Sequence, residues 1–155
     1  MIKNQEPAET AIREARKTVD YNTVEYPLEY FIDKISQQQI NDNLSWDESK
    51  QSYFIESLIL GLPVLQIVFV DSSIDSGYFE RDAQLIDGRQ RIYTALNFIN
   101  GNLRLRELRN LSALNGFKFK DLPLSRQKKL RRITARAIAV NPNSDLSIWR
   151  NKYRW

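Results

Sequence analysis

The feature that most constrains the fold is an unbroken apolar run, Ile67-Val68-Phe69-Val70, which is followed by a polar segment. A strand with one face in water alternates apolar and polar residues, and this run contains no polar position. It therefore predicts a strand at residues 65–70 with both faces covered. The turn-forming residues at 71–77 predict that the chain then returns as a second strand at residues 78–86.

The other elements are predicted from hydrophobic periodicity and from residues that begin and end helices. The predicted helices span residues 8–19, 28–35, 48–60, 89–100, 126–132 and 144–155. Further strands are predicted at 103–105, 116–119 and 134–140, and a polar loop at 37–45. This order predicts an α+β fold, a small mixed β-sheet flanked by helices. We divide the chain into an N-terminal arm with a helix, residues 1–24, and a single domain, residues 25–155.

Aromatic side chains are expected mainly in the core. Those assigned to the core are Tyr53, Phe54, Phe69, Phe98 and Phe117. Those expected to pack back on the domain from the C-terminal end are Trp149, Tyr153 and Trp155.

The chain of 155 residues contains no histidine and no cysteine. This excludes disulfides, histidine general bases and Ser-His-Asp triads, so the chain is not a His-dependent nuclease on its own. Neither zinc nor haem is expected as a cofactor. Any catalysis would need carboxylates with Mg²⁺, or phosphate chemistry by Arg, Lys and Asp. No apolar run approaches the ~18 residues of a membrane span, and no secretory pattern is present, so we expect a cytoplasmic protein without a membrane partner.

One strand–turn–helix junction concentrates the groups that bind anions. Asp87-Gly88 follows the predicted strand, and Arg89, Gln90 and Arg91 lie in the first turn of the next helix. Helix N-termini favour anions, and arginine binds phosphate through two parallel hydrogen bonds. The junction therefore predicts a phosphate or nucleotide site. The alternative is purely structural, with Asp87 as the helix N-cap and both arginines solvated.

Charge is divided unevenly along the chain. Residues 1–80 carry 6 Lys/Arg against 14 Asp/Glu, a net of −8, whereas residues 81–155 carry 17 against 5, a net of +12. This division predicts an anionic partner for the second half, or docking of the two halves within or between subunits. The remaining alternative is that both surfaces are merely solvated.

The helix predicted at 126–132 is strongly basic. We expect Leu130 and Ile133 to face inward near Leu122 and Leu124, which leaves the cations outside. Clustered cations of this kind make salt-sensitive contacts to DNA phosphates without sequence specificity. The candidate DNA-binding residues are Arg126, Lys128, Lys129, Arg131 and Arg132. A solvated helix face is the alternative.

Three segments carry a family resemblance. The segment from Trp46 to Pro63 has a tryptophan, a helix with Ile-Glu-Ser and a Gly-x-Pro; Ile86 to Leu96 contains Asp-Gly-Arg-Gln-Arg; Phe119 to Pro123 leads into a helix. In this order the segments resemble domain-of-unknown-function family 262, whose members are similar to the N-terminal half of GmrSD-type modification-dependent restriction proteins. The resemblance implies a ParB/sulfiredoxin-like fold and covers roughly residues 25–140.

The resemblance also implies a function and a site. It implies a domain that binds or hydrolyses nucleoside triphosphate with Mg²⁺ and couples this to restriction in phage defence, alone or with a partner nuclease. The implied nucleotide- or phosphate-binding residues are Asp87, Gly88, Arg89, Gln90 and Arg91. Arg91 would clamp a phosphate, Gly88 would allow close backbone approach, and Asp87, the candidate catalytic residue, would hold a metal, a water or a ribose hydroxyl. Thr94 offers a hydroxyl one turn further on, and Glu56 is placed to face the same cleft.

This chain departs from the family's sequence pattern at two places. Asp42, shortly before the first segment, stands where the family has the arginine of a Gln-Arg pair. Near the other end of the chain, the residues from Ser147 to Asn151 resemble a remnant of a later arginine-containing motif. The chain is therefore at most a nucleoside triphosphatase. The alternative functions are a non-catalytic DNA-binding or regulatory module and an oligomeric scaffold, for example a homodimer.

Overall fold

The computed structural model describes residues 3–34, 44–71 and 84–153. The elements in chain order are α1 (Gln5–Lys17), β1 (Tyr21–Pro27), α2 (Leu28–Lys34), α3 (Glu48–Ile59), β2 (Gln66–Val70), β3 (Gln84–Asp87), α4 (Arg89–Ile99), α5 (Leu124–Arg131), β4 (Thr134–Val140) and α6 (Leu146–Lys152). Short 3₁₀ helices lie at Ser112–Leu114 and Phe119–Asp121. No helix among these residues is long and apolar enough to cross a membrane.

The four strands form one mixed sheet in the order β1-β4-β2-β3. β4 pairs antiparallel with β1 and parallel with β2, and β2 pairs antiparallel with β3. The predicted α+β fold with a small mixed sheet is therefore confirmed. Because β4 is last in the chain yet lies inside the sheet, it joins the N-terminal strand to the β2–β3 pair.

The prediction that β2 is covered on both faces is confirmed. Ile67 and Phe69 pack in the main core with Phe31 of α2 and Phe98 of α4. Val68, on the opposite face, packs in a second cluster with Val140 and Trp149, and the latter belongs to α6. The sheet therefore has a broad helical layer on its inner face and α6 on part of its outer face.

β4 has the alternation that the sequence predicts. Ala135, Ala137 and Ala139 are all buried on the inner face, while Arg136 is exposed on the outer face. Small side chains on a central strand leave room for large side chains of the helical layer, here Phe31 and Phe98.

Several expectations are wrong. Residues 103–105 and 116–119 form no strands; Leu105 makes two backbone hydrogen bonds to Gly116 and Phe117, and the surrounding chain is irregular. Tyr53 is 41% exposed rather than a core residue, and Leu124 is 64% exposed because it begins α5 on the solvent side. β1 was not predicted at all. It spans the predicted boundary between arm and domain at residues 24 and 25, and the division itself stays a prediction. Residues 35–43, 72–83 and 154–155 lie outside the described residues, and with them most of the predicted 37–45 loop, part of the predicted 78–86 strand, Asp42 and Trp155.

The buried face of α3 is unexpectedly polar. Gln51, Ser52 and Glu56 are all buried. The Glu56 carboxylate, 2% exposed, accepts hydrogen bonds from the backbone N–H of Asn110 at 3.1 Å and of Leu111 at 2.9 Å. The Ser52 hydroxyl accepts from the N–H of Arg106 at 3.1 Å. These side chains bind backbone donors at residues 106, 110 and 111, so this part of the chain is held without a strand partner.

Gly88 joins β3 to α4 in a conformation that favours glycine. Its φ is +114°, and a Cβ at this position would lie 3.1 Å from the carbonyl oxygen of Gln66 and 3.3 Å from a side-chain carbon of Ile67. The absence of a side chain therefore lets the junction pack directly on β2.

We predict that Gly88→Ala destabilises the fold by more than about 2 kcal/mol, since it combines positive-φ strain with a contact to rigid backbone. The matched control is Gly101→Ala, where φ is +81° but nothing lies within 4 Å of the added Cβ. This control should cost only about 1 kcal/mol of strain. Urea unfolding of both variants measures the difference, and equal losses would contradict the packing role of Gly88.

We also predict that Glu56→Gln lowers the free energy of unfolding by about 1.5–3 kcal/mol, because two backbone donors lose a charged acceptor. Glu48→Gln, on the exposed face of the same helix and paired with Arg106, is the control and should cost less than about 1 kcal/mol. A Glu56→Gln variant as stable as this control would mean that the buried carboxylate does not organise the segment.

Candidate functional site

A cleft of about 1190 Å³ lies where β3, α4 and α6 meet the start of α3. Ligand sites of small molecules are usually clefts of roughly 300–1,000 Å³, so this cleft is large enough for a nucleotide. Three stretches of the chain line it: residues 45–50, residues 84–91 and the C-terminal helix region from residue 147 to residue 153. All five residues of the sequence-predicted site, 87–91, are in the lining.

Asp87 and Arg91 are bound to each other. Arg91 Nη1 donates to the carbonyl oxygen of Gln66 at 3.0 Å and to Asp87 Oδ2 at 3.4 Å, and the ion pair is partly exposed. Asp87 is the last residue of β3, and the N-cap of α4 is Gly88, so the alternative of Asp87 as N-cap is wrong. The pair orients the Arg91 guanidinium, and both contacts of the guanidinium use the same terminal nitrogen.

Arg89 lies at the N-terminal end of α4 with an unsatisfied donor. Its Nε is buried and has no hydrogen-bond partner among the described residues. Gly88 supplies no side-chain cap, and the first turn of α4 contains no acidic residue. Two arginines at the positive end of a helix dipole are unfavourable for the helix alone, whereas an anion at this end would be stabilised by the dipole and by both guanidinium groups.

Gln90 makes contacts within the protein. Its Oε1 accepts from the backbone N–H of Trp46 at 3.4 Å, and its Nε2 donates to the Ser45 hydroxyl at 3.3 Å. The side chain therefore ties α4 to the segment that precedes α3. Its predicted role in phosphate binding stays a prediction, as do those of Asp87, Gly88, Arg89 and Arg91.

Sequence reasoning missed two cations in this cleft. Lys50, in the first turn of α3, and Arg150, on α6, both line it. A signal for Arg150 was present in the segment from Ser147 to Asn151, but only the tertiary fold brings α6 to the end of β3. Asp145 caps α6 by accepting from the Ser147 N–H at 3.0 Å, and the hydrogen bonds from Ser147 hold the pKa of Asp145 below its usual value.

The described lining residues fit phosphate groups better than a protein-held metal ion. They include four cations, Lys50, Arg89, Arg91 and Arg150, and a single carboxylate, Asp87, which is already paired. Among the described residues no group of three or more potential ligands could hold a metal ion. Mg²⁺ with a nucleotide is usually held by one or two carboxylates together with phosphate oxygens, so the described residues supply Asp87 at most.

Two further candidates lie away from the cleft. Glu56, placed by the resemblance in the same cleft, instead holds the segment after α4 and is absent from the lining. Thr94 is fully buried in α4, and its hydroxyl has no partner among the described residues. Its position agrees with a structural role.

The basic surface, defined as Arg126, Lys128, Lys129, Arg131 and Arg132, lies elsewhere on the molecule. All five residues are exposed, and Leu130 anchors α5 in the core as predicted. The Arg131 guanidinium lies 5.2 Å from the centre of the Phe119 ring. Within the part of the chain that the structure describes, none of the five makes an ion pair.

Comparison with known proteins identifies the family. The family model described as GmrSD restriction endonuclease, N-terminal domain, matches residues 28–152, which include the basic surface and every residue of the cleft lining but Tyr153. Searches of curated proteins and of solved structures found no match. The ParB/sulfiredoxin-like arrangement therefore stays a prediction. Because the match covers most of its length, the chain belongs to the family of GmrSD restriction endonuclease N-terminal domains.

Proposed function

We propose that the cleft binds the phosphate groups of a nucleotide, and that the domain does so as the N-terminal module of a restriction system. The observation that carries this proposal is the buried Nε of Arg89 at the N-terminal end of α4, which has no hydrogen-bond partner in the described part of the chain. A buried donor without an acceptor costs free energy, and a phosphate oxygen would remove that cost. A restriction system needs a nuclease, so we propose a nuclease as the protein partner of this domain.

The charge of the cleft supports a polyanionic ligand. The described lining contains four cations and one carboxylate, which leaves it with an excess of positive charge. Arg91 is pre-oriented by Asp87 and by the Gln66 carbonyl, so less side-chain entropy is lost when a ligand binds. Asp87 already serves that pairing, and the proposal is therefore one of binding and assigns no residue to hydrolysis.

We predict that Arg150→Ala weakens nucleotide binding about 10- to 100-fold, the effect of removing one hydrogen-bonded charge from a phosphate contact. The matched control is Lys152→Ala, which removes an exposed cation from the same helix outside the cleft lining. Isothermal titration with ATP, GTP and CTP, each with and without Mg²⁺, measures the affinities. Arg89→Ala should cause a similar loss.

Equal affinities of the Arg150→Ala and Lys152→Ala variants would contradict a phosphate contact by α6. Wild-type protein that binds none of the three nucleotides would contradict the proposal as a whole.

A second candidate function is binding to DNA phosphates through the basic surface. The observation that favours it is five exposed cations on one short helix and its C-cap, without an ion pair to any described carboxylate. Cations left unpaired by the protein itself are available to DNA phosphates, and a restriction system acts on DNA. The exposed side chains of the basic surface are all long cations, which suit contacts to phosphates, so we expect no sequence specificity.

We predict that the double variant Lys128→Glu/Lys129→Glu reduces the salt dependence of duplex binding, with a slope of log K against log[salt] that is about 1–2 smaller in magnitude. Arg13→Glu/Arg16→Glu on α1 has the same change in net charge at exposed positions and is the control. Fluorescence anisotropy with an unmodified duplex at several salt concentrations gives both slopes. Equal slopes in the two variants would assign any binding to net charge rather than to the basic surface.

A further inference from the structure

The aromatic wall of the cleft carries an inference about the ligand. Trp46 lines the cleft and is partly exposed there. We propose that its ring is the platform on which the base of the bound nucleotide stacks, so that the site selects nucleotides over inorganic polyphosphate. The inference rests on the proposed phosphate-binding function and adds the chemistry of the rest of the ligand.

The backbone of Trp46 is held at both of its polar groups. Its N–H donates to Gln90 Oε1 at 3.4 Å, and its carbonyl oxygen accepts from Gln51 Nε2 at 3.0 Å. Gln51 is buried, and its Oε1 accepts in turn from Asn97 Nδ2 at 3.2 Å. Side chains from α3 and α4 thus fix the residue that carries the ring. These hydrogen bonds hold the backbone of Trp46, while its side chain packs in part against the main core.

The side chain of Trp46 packs against the main core, and the residue is partly exposed and belongs to the cleft lining. Phe54 contacts the ring edge-on, with ring centres 5.7 Å apart at an interplanar angle of 60°. Lys50, an exposed residue, places its Nζ over the ring, 5.0 Å from the ring centre, in a cation–π contact. A base that stacks on this face would take the place of the Lys50 ammonium, which would then be available to pair with the phosphate groups.

The position of Trp46 relative to the cations matches the two parts of a nucleotide. Gln90 directly follows Arg89 in the first turn of α4, and its side chain contacts the Trp46 backbone. The first turn of α4 therefore carries the arginines proposed to bind phosphate and, through Gln90, also contacts the residue that bears the aromatic ring. Inorganic polyphosphate would use only the cations, whereas a nucleotide would use both surfaces.

The test compares ATP with inorganic tripolyphosphate in wild-type protein and in Trp46→Leu, by isothermal titration under one set of conditions. Base stacking on an aromatic side chain predicts that wild-type protein binds ATP about 5- to 150-fold more tightly than tripolyphosphate. In Trp46→Leu this ratio should fall to about one. Tyr53→Leu, which removes an exposed aromatic ring of α3 outside the cleft lining, should keep the wild-type ratio.

Each other outcome contradicts a distinct statement. An unchanged ratio in Trp46→Leu would overturn the stacking role while leaving phosphate binding intact. Wild-type protein that binds tripolyphosphate and ATP equally would do the same. Wild-type protein that binds neither ligand would overturn the proposed function, and the stacking role with it.

A second measurement applies if Trp46→Leu does not fold. ATP, but not tripolyphosphate, should quench part of the tryptophan fluorescence of wild-type protein, because only the base contacts the ring. Trp46→Phe keeps an aromatic wall and should lose this quenching. Quenching that persists in Trp46→Phe would overturn the proposal.

Discussion

Because β2 and β4 pair in parallel inside the sheet, the chain after β4 leaves the sheet at the end where β2 also ends. That end carries Val140, on which Trp149 of α6 packs, and Val68 completes the cluster. The helix that follows the last strand is thereby placed on the outer face, next to the edge strand β3. Without this pairing, Arg150 would have no fixed relation to Arg89 and Arg91, and the cleft would have two walls rather than three.

The strand–turn–helix junction could be predicted from the sequence because its determinants are local. The apolar end of β3, the Asp-Gly pair and the arginines of α4 lie within eight residues, and so do the signals that end α3 and begin β2. The unbroken apolar run of β2 even predicted the second layer, since its members divide between two clusters. The pattern of apolar residues therefore predicts an element well where that pattern depends only on which faces of the element are buried.

The rest of the site depends on contacts between distant segments. Lys50, Trp46 and Arg150 look like surface or core residues in the sequence, and only the packing of α3 and α6 around β3 brings them together. β1 was missed although Val24 and Tyr26 alternate with exposed residues, because the same stretch is mostly polar and lies on a sheet edge. The strands predicted at 103–105 and 116–119 are the opposite error, since buried residues there do not form strands. Leu103 and Leu105 are buried, as in a strand. Two backbone hydrogen bonds join Leu105 to Gly116 and Phe117, while Ser52 and Glu56 of α3 bind backbone donors of the chain in between, so the segment is held without a regular strand pair.

The buried polar groups of this domain differ in whether the described residues satisfy their hydrogen bonds. Glu56 is buried with its acceptors occupied, so its charge is used to hold the fold. Thr94 and Trp149 each bury a neutral donor that has no partner among residues 3–34, 44–71 and 84–153, which is a moderate cost. Arg89 is different because its donor, which has no partner among the described residues, belongs to a permanent charge at the positive end of a helix dipole. An acid in the first turn of α4 would offset this charge, but the sequence has two arginines there, and under the proposed function an anionic ligand would supply the missing negative charge.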